Sequence, residues 1–418
     1  MRSVVERFLE YVKIDTQSSE ESNSFPSTTK QINLAKILAG YLSRMGAEDV
    51  HVDSTYCYVY ANIPATKGRE KDKVLGFIAH MDTSPETSGK DVNPQIIENY
   101  EGQDIKLGDT DLILGTSVFP ELNNYIGKSL IVTDGTTLLG ADDKAGIAEI
   151  MTMADFLLKD LERSATTGME PQFEHGKIAI AFTPDEEIGA GVDHFDLERF
   201  GADYAYTVDG GGIGELEYEN FNAASLDVTV HGVTVHPGEA KGKMKNAMRI
   251  AMEFDGRIPD NMRPEVTSGY EGFYHLCDIE GDVETCKLSY IVRDHDSKAF
   301  EDKKNFAERI ALELNSKYGD GTVETVIKDS YYNMRDKIEP DYMFLVEEAK
   351  GMMIKNGIKP VITPIRGGTD GARLSYMGIP CPNICTGGHN YHGRFEYVVI
   401  ESMEKICRLL VDIACIKR

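Results

Sequence analysis

The chain has 418 residues, more than one hydrophobic core usually supports, so two domains are expected. Its 69 Asp and Glu against 44 Lys and Arg leave a net charge of −25, which would repel a phosphate backbone and excludes nucleic acid as an expected partner. A hydrophobic content of 41% with mean hydropathy −0.31 fits a soluble globular protein, and with no apolar run long enough to span a bilayer, no membrane partner is expected. Apolar residues at helical spacing over 3–13 and 29–45 predict two helices, the first with acids that set it apart from a signal peptide. Strands are predicted at 56–63 and 73–79, followed by a Gly- and Asp-rich insertion over 83–128, a length that implies a function or short elements of its own. A strand-like run at 130–133 leads to Leu139-Gly140-Ala141-Asp142-Asp143-Lys144-Ala145-Gly146, which opens a helix over 145–158, and strands follow at 177–183 and 204–208. Apolar strands alternating with helices give an α/β domain with a mainly parallel sheet and helices on both faces.

The texture changes near 221. A strand at 225–231, a helix at 243–254, strands at 272–279 and 283–293 around Glu280-Gly281-Asp282, a helix at 298–318 and a strand at 322–328 give the order β-α-β-β-α-β. That is an inserted ferredoxin-like lid domain, 221–332. A helix at 340–356, a strand at 360–365, a Gly-rich turn at 366–371, a strand at 381–385 and a closing helix at 398–416 return to α/β character. The first domain is therefore discontinuous, 1–220 and 333–418. Seven cysteines, odd in number and scattered, suit a reducing, cytoplasmic setting. Cys57, Cys277, Cys286, Cys407 and Cys415 read as small core residues, and Cys381 and Cys385 lack the second pair of a structural zinc site.

In parallel sheets ligands collect beyond the C-terminal ends of the strands. His80 and Asp82 follow one such strand, Glu186 and Glu187 a second and Asp209 a third, while Asp142 opens a helix and His392 lies in the terminal loop. Alone, Asp142 would be a helix cap, His80 a surface group and the Glu pair a solvated face. Gathered after apolar strands of one domain, they point to two divalent ions sharing a carboxylate. Imidazole and carboxylate without thiolate suit two Zn2+, with Co2+ or Mn2+ as weaker substitutes. Glu186, beside a ligating Glu187, is placed as general base, and Asp82 can accept from the His80 ring N–H and fix its tautomer.

His80-Met81-Asp82-Thr83, Gly140 to Gly146, Asp185-Glu186-Glu187, Val208-Asp209-Gly210 and Asn390-Tyr391-His392-Gly393, in that order, resemble the motifs of the co-catalytic di-zinc peptidases, a family that includes aminoacylases, carnosinases and glutamate carboxypeptidases. The resemblance runs nearly end to end and is nearest to the family's tripeptide aminopeptidases. It implies that Asp142 bridges the two ions, that His80 and Asp209 complete one and Glu187 and His392 the other, and that the N-terminal residue of short peptides, chiefly tripeptides, is hydrolysed. Of two histidines in the terminal loop, His389 and His392, the second fits the motif better. N-acyl amino acid deacylase or carboxypeptidase activity is the alternative on the same site. A non-catalytic binding protein would be expected to lack Glu186 or Asp142, and both are present. Nucleotide binding at 210–214 fails on spacing, since GxGxxG would require Gly where Glu215 stands. A peptidase for short peptides must anchor a free C-terminal carboxylate, for which arginine's planar fork is suited. Arg293, at the end of a lid strand, and Arg366, in the Gly-rich turn of the first domain, are the candidates, and the resemblance adds His236 and Asn246 as lid residues facing the cleft. The oligomeric state stays open, a homodimer among the options.

Overall fold

Runs of Val, Ile, Ala and Phe without polar breaks form strands buried on both faces. Val59–Ile63, Leu75–His80 and Ile178–Thr183 are buried at every position. In the computed structural model, which describes residues 2–418, they lie in an eight-stranded sheet. Its order is Glu48–Val52, Val59–Ile63, Ile178–Thr183, Leu75–His80, Tyr204–Gly210, Asn383–Cys385, Glu215–Glu217, Val361–Ile362. The pairings from Ile178–Thr183 across to Asn383–Cys385 are parallel, while Glu48–Val52 and Val59–Ile63 at one side and Glu215–Glu217 at the other join antiparallel. Helix Ala141–Thr167 packs against Leu75–His80 and Tyr204–Gly210. Residues alternate across a strand, and Ile78, Ala179, Ala181 and Ala205 meet a separate cluster with Phe195, Phe200 and Leu374.

The chain divides into two units. The larger runs to Tyr218 and resumes over Lys337–Thr363 and Thr369–Arg418; the smaller is Glu219–Asp336 with Pro364–Gly368. In the smaller, the strand order is Phe273–Gly281, Thr285–Asp294, Asn222–His231, Val323–Tyr331, antiparallel throughout. Helices Ala247–Asp255 and Ser297–Tyr318 bury Ile250, Phe254, Ile310 and Leu314 against Leu226, Val228, Leu288 and Val292. This is the ferredoxin-like order β-α-β-β-α-β.

Several expectations need correction. Leu130–Val132 is not a strand of the main sheet: it pairs with Gln95–Ile97 and Tyr397–Val399, and Gly388–His389 completes a small antiparallel sheet. The insertion can do this because it carries a core of its own, with Tyr100, Ile105, Leu107, Leu114 and Leu122 closing on Leu130, Val132, Tyr397 and Val399. The helix predicted over 145–158 begins just after the non-helical pair Asp142 and Asp143 and runs on to Thr167, its last polar turns largely exposed to solvent. The strand predicted at 360–365 shortens to Val361–Ile362, because Pro364–Gly368 joins the smaller unit and takes Arg366 with it. Cys277 is exposed on an edge strand and Cys415 is half-buried, so these two are not core residues; all seven cysteines are unpaired.

Candidate metal centre

Three parallel strands bring their C-terminal ends to one edge, where His80 closes Leu75–His80, Asp209 lies on Tyr204–Gly210, and Ile178–Thr183 runs into the 3-10 turn Glu186–Ile188. Two buried carboxylates hold that turn. Asp185, in the left-handed region at φ 53°, accepts from the Ser27 N–H at 2.6 Å, the Ser27 hydroxyl at 2.5 Å and Gln31 Nε2 at 2.6 Å. Asp82 accepts the backbone N–H groups of Glu186 at 3.0 Å and Glu187 at 3.2 Å, and its Oδ1 lies 3.3 Å from His80 Nδ1. One carboxylate therefore sets the backbone of the Glu pair and the ring of His80 together.

Asp142 is delivered by a turn that the helix geometry does not explain. Gly140 takes φ 79°, and Asp142 and Asp143 have non-helical dihedrals. The carboxylate filling the free N–H groups here is Glu396, which accepts from Leu139, Gly140, Ala141 and Asp142 at 2.7, 2.9, 2.7 and 3.1 Å. Asp142 is thus not the helix cap, and its side chain is free for other partners. Asp143 accepts the His80 N–H at 3.1 Å and the Gly146 N–H at 3.2 Å, tying helix start to strand end. At Gly146 a side-chain carbon would collide with the Val208 carbonyl oxygen, so only glycine allows this approach. The Tyr391 and Thr386 hydroxyls donate to the Gly210 carbonyl at 2.9 and 2.8 Å, fixing the terminal loop beside Asp209.

The two oxygens of Asp142 face different histidines. Oδ1 lies 2.8 Å from His80 Nε2, and Oδ2 lies 3.3 Å from His392 Nε2. His80 Nε2 is 3.4 Å from Asp209 Oδ1, and His392 Nε2 is 2.9 Å from Glu187 Oε2. Ligand-type atoms of His80, Asp142 and Glu187, and of His80, Glu186 and Asp209, form two groups within 4.8 Å. Burial, then the neighbouring Asp142 charge, pushes Glu187 up to about 8; burial raises Asp209 to about 6, and burial with the Asp209 charge lifts Glu186 well above the usual range. Asp142 moves the other way: burial would raise it, but hydrogen bonds from His392 and His80 hold it well below the ordinary value. Four carboxylates so close repel one another unless positive charge lies between them. Glu187 Oε1 is buried with no hydrogen-bond partner among the described residues, an unused lone-pair oxygen of the kind that ligates a cation. The set fits divalent cations.

His80, Asp82, Asp142, Glu186, Glu187, Asp209 and His392 are all brought together. His389 is not: its Nε2 meets the Tyr125 hydroxyl of the insertion at 2.7 Å. The other four expected residues lie in the smaller unit, each with local partners. His236 Nδ1 accepts the Gly238 N–H, Asn246 caps Ala247–Asp255 through the Arg249 N–H, and Arg366 donates to the Gly269 and Glu271 carbonyls and to Thr267 while lying over Phe221. Arg293 lies over the Tyr331 ring at 5.0 Å. Sequence reasoning missed Glu396, Asp143, Asp185 and Asp370. Asp370, buried and raised to about 7 by that burial, accepts the Thr183 hydroxyl at 2.8 Å. The one signal for Glu396 was an acid inside the apolar run Phe395-Glu396-Tyr397-Val398-Val399.

With this geometry in hand, comparison with known proteins is direct. The family described as a peptidase dimerisation domain matches residues 218–322. The chain is 54% identical to Peptidase T of Alkaliphilus oremlandii, over 99% of this chain and 98% of that protein, and 55% identical to Peptidase T of Caldanaerobacter subterraneus over the same shares. In fold it is similar to the aminopeptidase PepT of Bacillus cereus, with TM-score 0.74 at 24% identity over 98% of this chain and 97% of that one. A tripeptidase of Staphylococcus aureus is similar at TM-score 0.74 and 21% identity, over 98% and 96%. Relatives more than half identical along the whole chain make this protein a member of the peptidase T family.

Proposed function

We propose that this chain is a metal-dependent aminopeptidase that releases the N-terminal residue of tripeptides. The observation that carries the reading is Asp142, one carboxylate facing His80 and His392 with its two oxygens, in a chain of the peptidase T family. In this reading Asp142 would be shared between two cations, with His80 and Asp209 holding one and Glu187 and His392 the other. The donor set of nitrogen and oxygen without sulfur favours zinc. When bound, two such ions polarise a carbonyl and acidify water. Glu186, left over from ligation, accepts the proton of the attacking water and returns it to the leaving nitrogen. Asp82 keeps the His80 Nε2 aimed inward by engaging Nδ1 and holds the Glu186 and Glu187 backbone in register. The deacylase and carboxypeptidase alternatives are not favoured, because relatives at 52–55% identity over 99% of the chain carry the name Peptidase T.

The smaller unit supports two further parts of the reading. Arg293 is proposed as the anchor for the substrate's C-terminal carboxylate, with His236, Asn246 and Arg366 as companions whose local bonds would have to give way. The match to a peptidase dimerisation domain at 218–322, and the edge strand Phe273–Gly281 with one side unpaired in its sheet, support a homodimer. Seven unpaired cysteines suit a cytoplasmic setting, and no helix among the described residues is long and apolar enough to cross a membrane.

Metal content and turnover of a free tripeptide, measured on three variants, test this reading. Asp142→Ala should lose both, because two cations would face each other with no anion between them. Glu187→Gln should weaken metal binding, whereas Glu186→Gln should keep two zincs per chain and lose roughly 10²–10⁴ in turnover. Two zincs retained in Asp142→Ala would refute the shared-carboxylate assignment.

A further inference from the structure

We propose that Glu396 is a positioning residue that sets the separation of the two halves of the site by clamping the Asp142 turn to the His392 loop, an inference that rests on the metal-dependent reading above. Glu396 is 1% exposed, and its two oxygens each take two consecutive backbone N–H groups, from Leu139 and Gly140 and from Ala141 and Asp142. These donors lie more than 250 positions away in the chain, so the contact joins two segments and is not a local cap. One segment ends in Asp142. The other carries His392 four residues before Glu396. Both segments are rooted in the small antiparallel sheet, where Val398 pairs with Ile131 and Tyr397 with Val132. The sheet fixes the roots, ten residues before Asp142 and five after His392, and Glu396 fixes the tips. Tyr391, in the same loop, bonds the Gly210 carbonyl next to Asp209, so the loop grips a second ligand-bearing element as well.

An ordinary helix cap would contribute stability alone. A clamp should act on the cations. In Glu396→Gln the shape is kept, but the amide nitrogen is set against two N–H donors, so the turn must shift. Outer groups that orient ligands are typically worth ~10–100-fold in metal affinity, and Glu396→Gln should weaken zinc binding by that factor, read by competition against chelators of graded strength on the full chain. Glu396→Asp, which keeps both oxygens and the charge, should retain more affinity than Glu396→Gln. Glu401→Gln is the control: Glu401 accepts the Ser129 N–H at 3.0 Å, a comparable backbone clamp that touches no ligand-bearing turn. It should lower the urea midpoint and leave zinc affinity unchanged. Zinc affinity in Glu396→Gln within threefold of the unaltered chain would overturn the clamp, and so would an equal loss in Glu401→Gln. If the unaltered chain binds no zinc, the metal-dependent reading itself falls, and the clamp with it. Should Glu396→Gln be recovered only unfolded, the Asp variant carries the same comparison.

Discussion

Glu186 and Glu187 are neighbours with the same side chain, yet their surroundings separate them. Asp82 takes both backbone N–H groups, so the two carboxylates leave one short turn in different directions. Glu187 meets His392 at 2.9 Å, while Glu186 is raised by burial and by the repulsion of Asp209, Asp370 and Glu187, against the pull of His80. That environment favours uptake of a proton by Glu186, as a general base requires. His80, Glu186, Glu187 and Asp209 stand out in the sequence because each follows an apolar run whose end is easy to see, whereas Asp142 opens a helix and His392 lies in a loop, where only the motifs mark them. The roles of Glu396 and Asp185 could not be read there, because their partners are remote in the chain: four backbone N–H groups for Glu396, and the Ser27 N–H and hydroxyl with Gln31 Nε2 for Asp185. Of the two arginines, Arg366 donates to Gly269, Glu271 and Thr267, while Arg293 meets the face of the Tyr331 ring and is the one proposed as the carboxylate anchor. Arg293→Ala should therefore raise KM for a free tripeptide much more than for its C-terminal amide. Equal losses on both substrates would mark the arginine as structural.

At the level of elements, the long apolar strands were legible and the short or acidic ones were not. Glu48–Val52 and Glu215–Glu217 carry too many acids for their alternation to stand out, and they sit toward the sides of the sheet where burial is incomplete. The insertion over 83–128 hid its role because its strands are only two or three residues long and pair only with Leu130–Val132 or with each other. His389 joins the terminal loop to it: its ring stacks on Tyr397 with centroids 4.8 Å apart and meets the Tyr125 hydroxyl. Burial lowers its pKa to about 4. The folded value lies below the unfolded 6.5, so the unfolded chain binds the proton first. The contribution is thus intact above pH 6.5 and is lost as pH falls toward 4, by up to about 3 kcal/mol. Buried carboxylates such as Glu396, raised to about 7 by burial, titrate in the opposite sense, so the test is a difference. Between pH 7 and 4.5 the urea midpoint should fall further in the unaltered protein than in His389→Phe. Parallel curves would mean that the ring is not held neutral.

For the whole molecule, the two domain patterns were legible because their periodicities differ: continuous apolar strands in the larger unit, alternating ones in the smaller. The return of Pro364–Gly368 to the smaller unit was not, since five residues bounded by Pro and Gly carry no periodic signal. If the smaller unit is the dimerisation element, light scattering should give twice 46.4 kDa, and disturbing its edge strand by proline at Ile279 should move the mass toward one chain. A single-chain mass for the unaltered protein would contradict the dimer without touching the site. The activity itself is tested most directly by the products of a tripeptide made of three different residues, identified by mass spectrometry with and without chelator. The account predicts the free N-terminal amino acid and the C-terminal dipeptide, formed only while metal is present and restored by added zinc. A free C-terminal amino acid with the N-terminal dipeptide, or cleavage that persists in chelator, would contradict it.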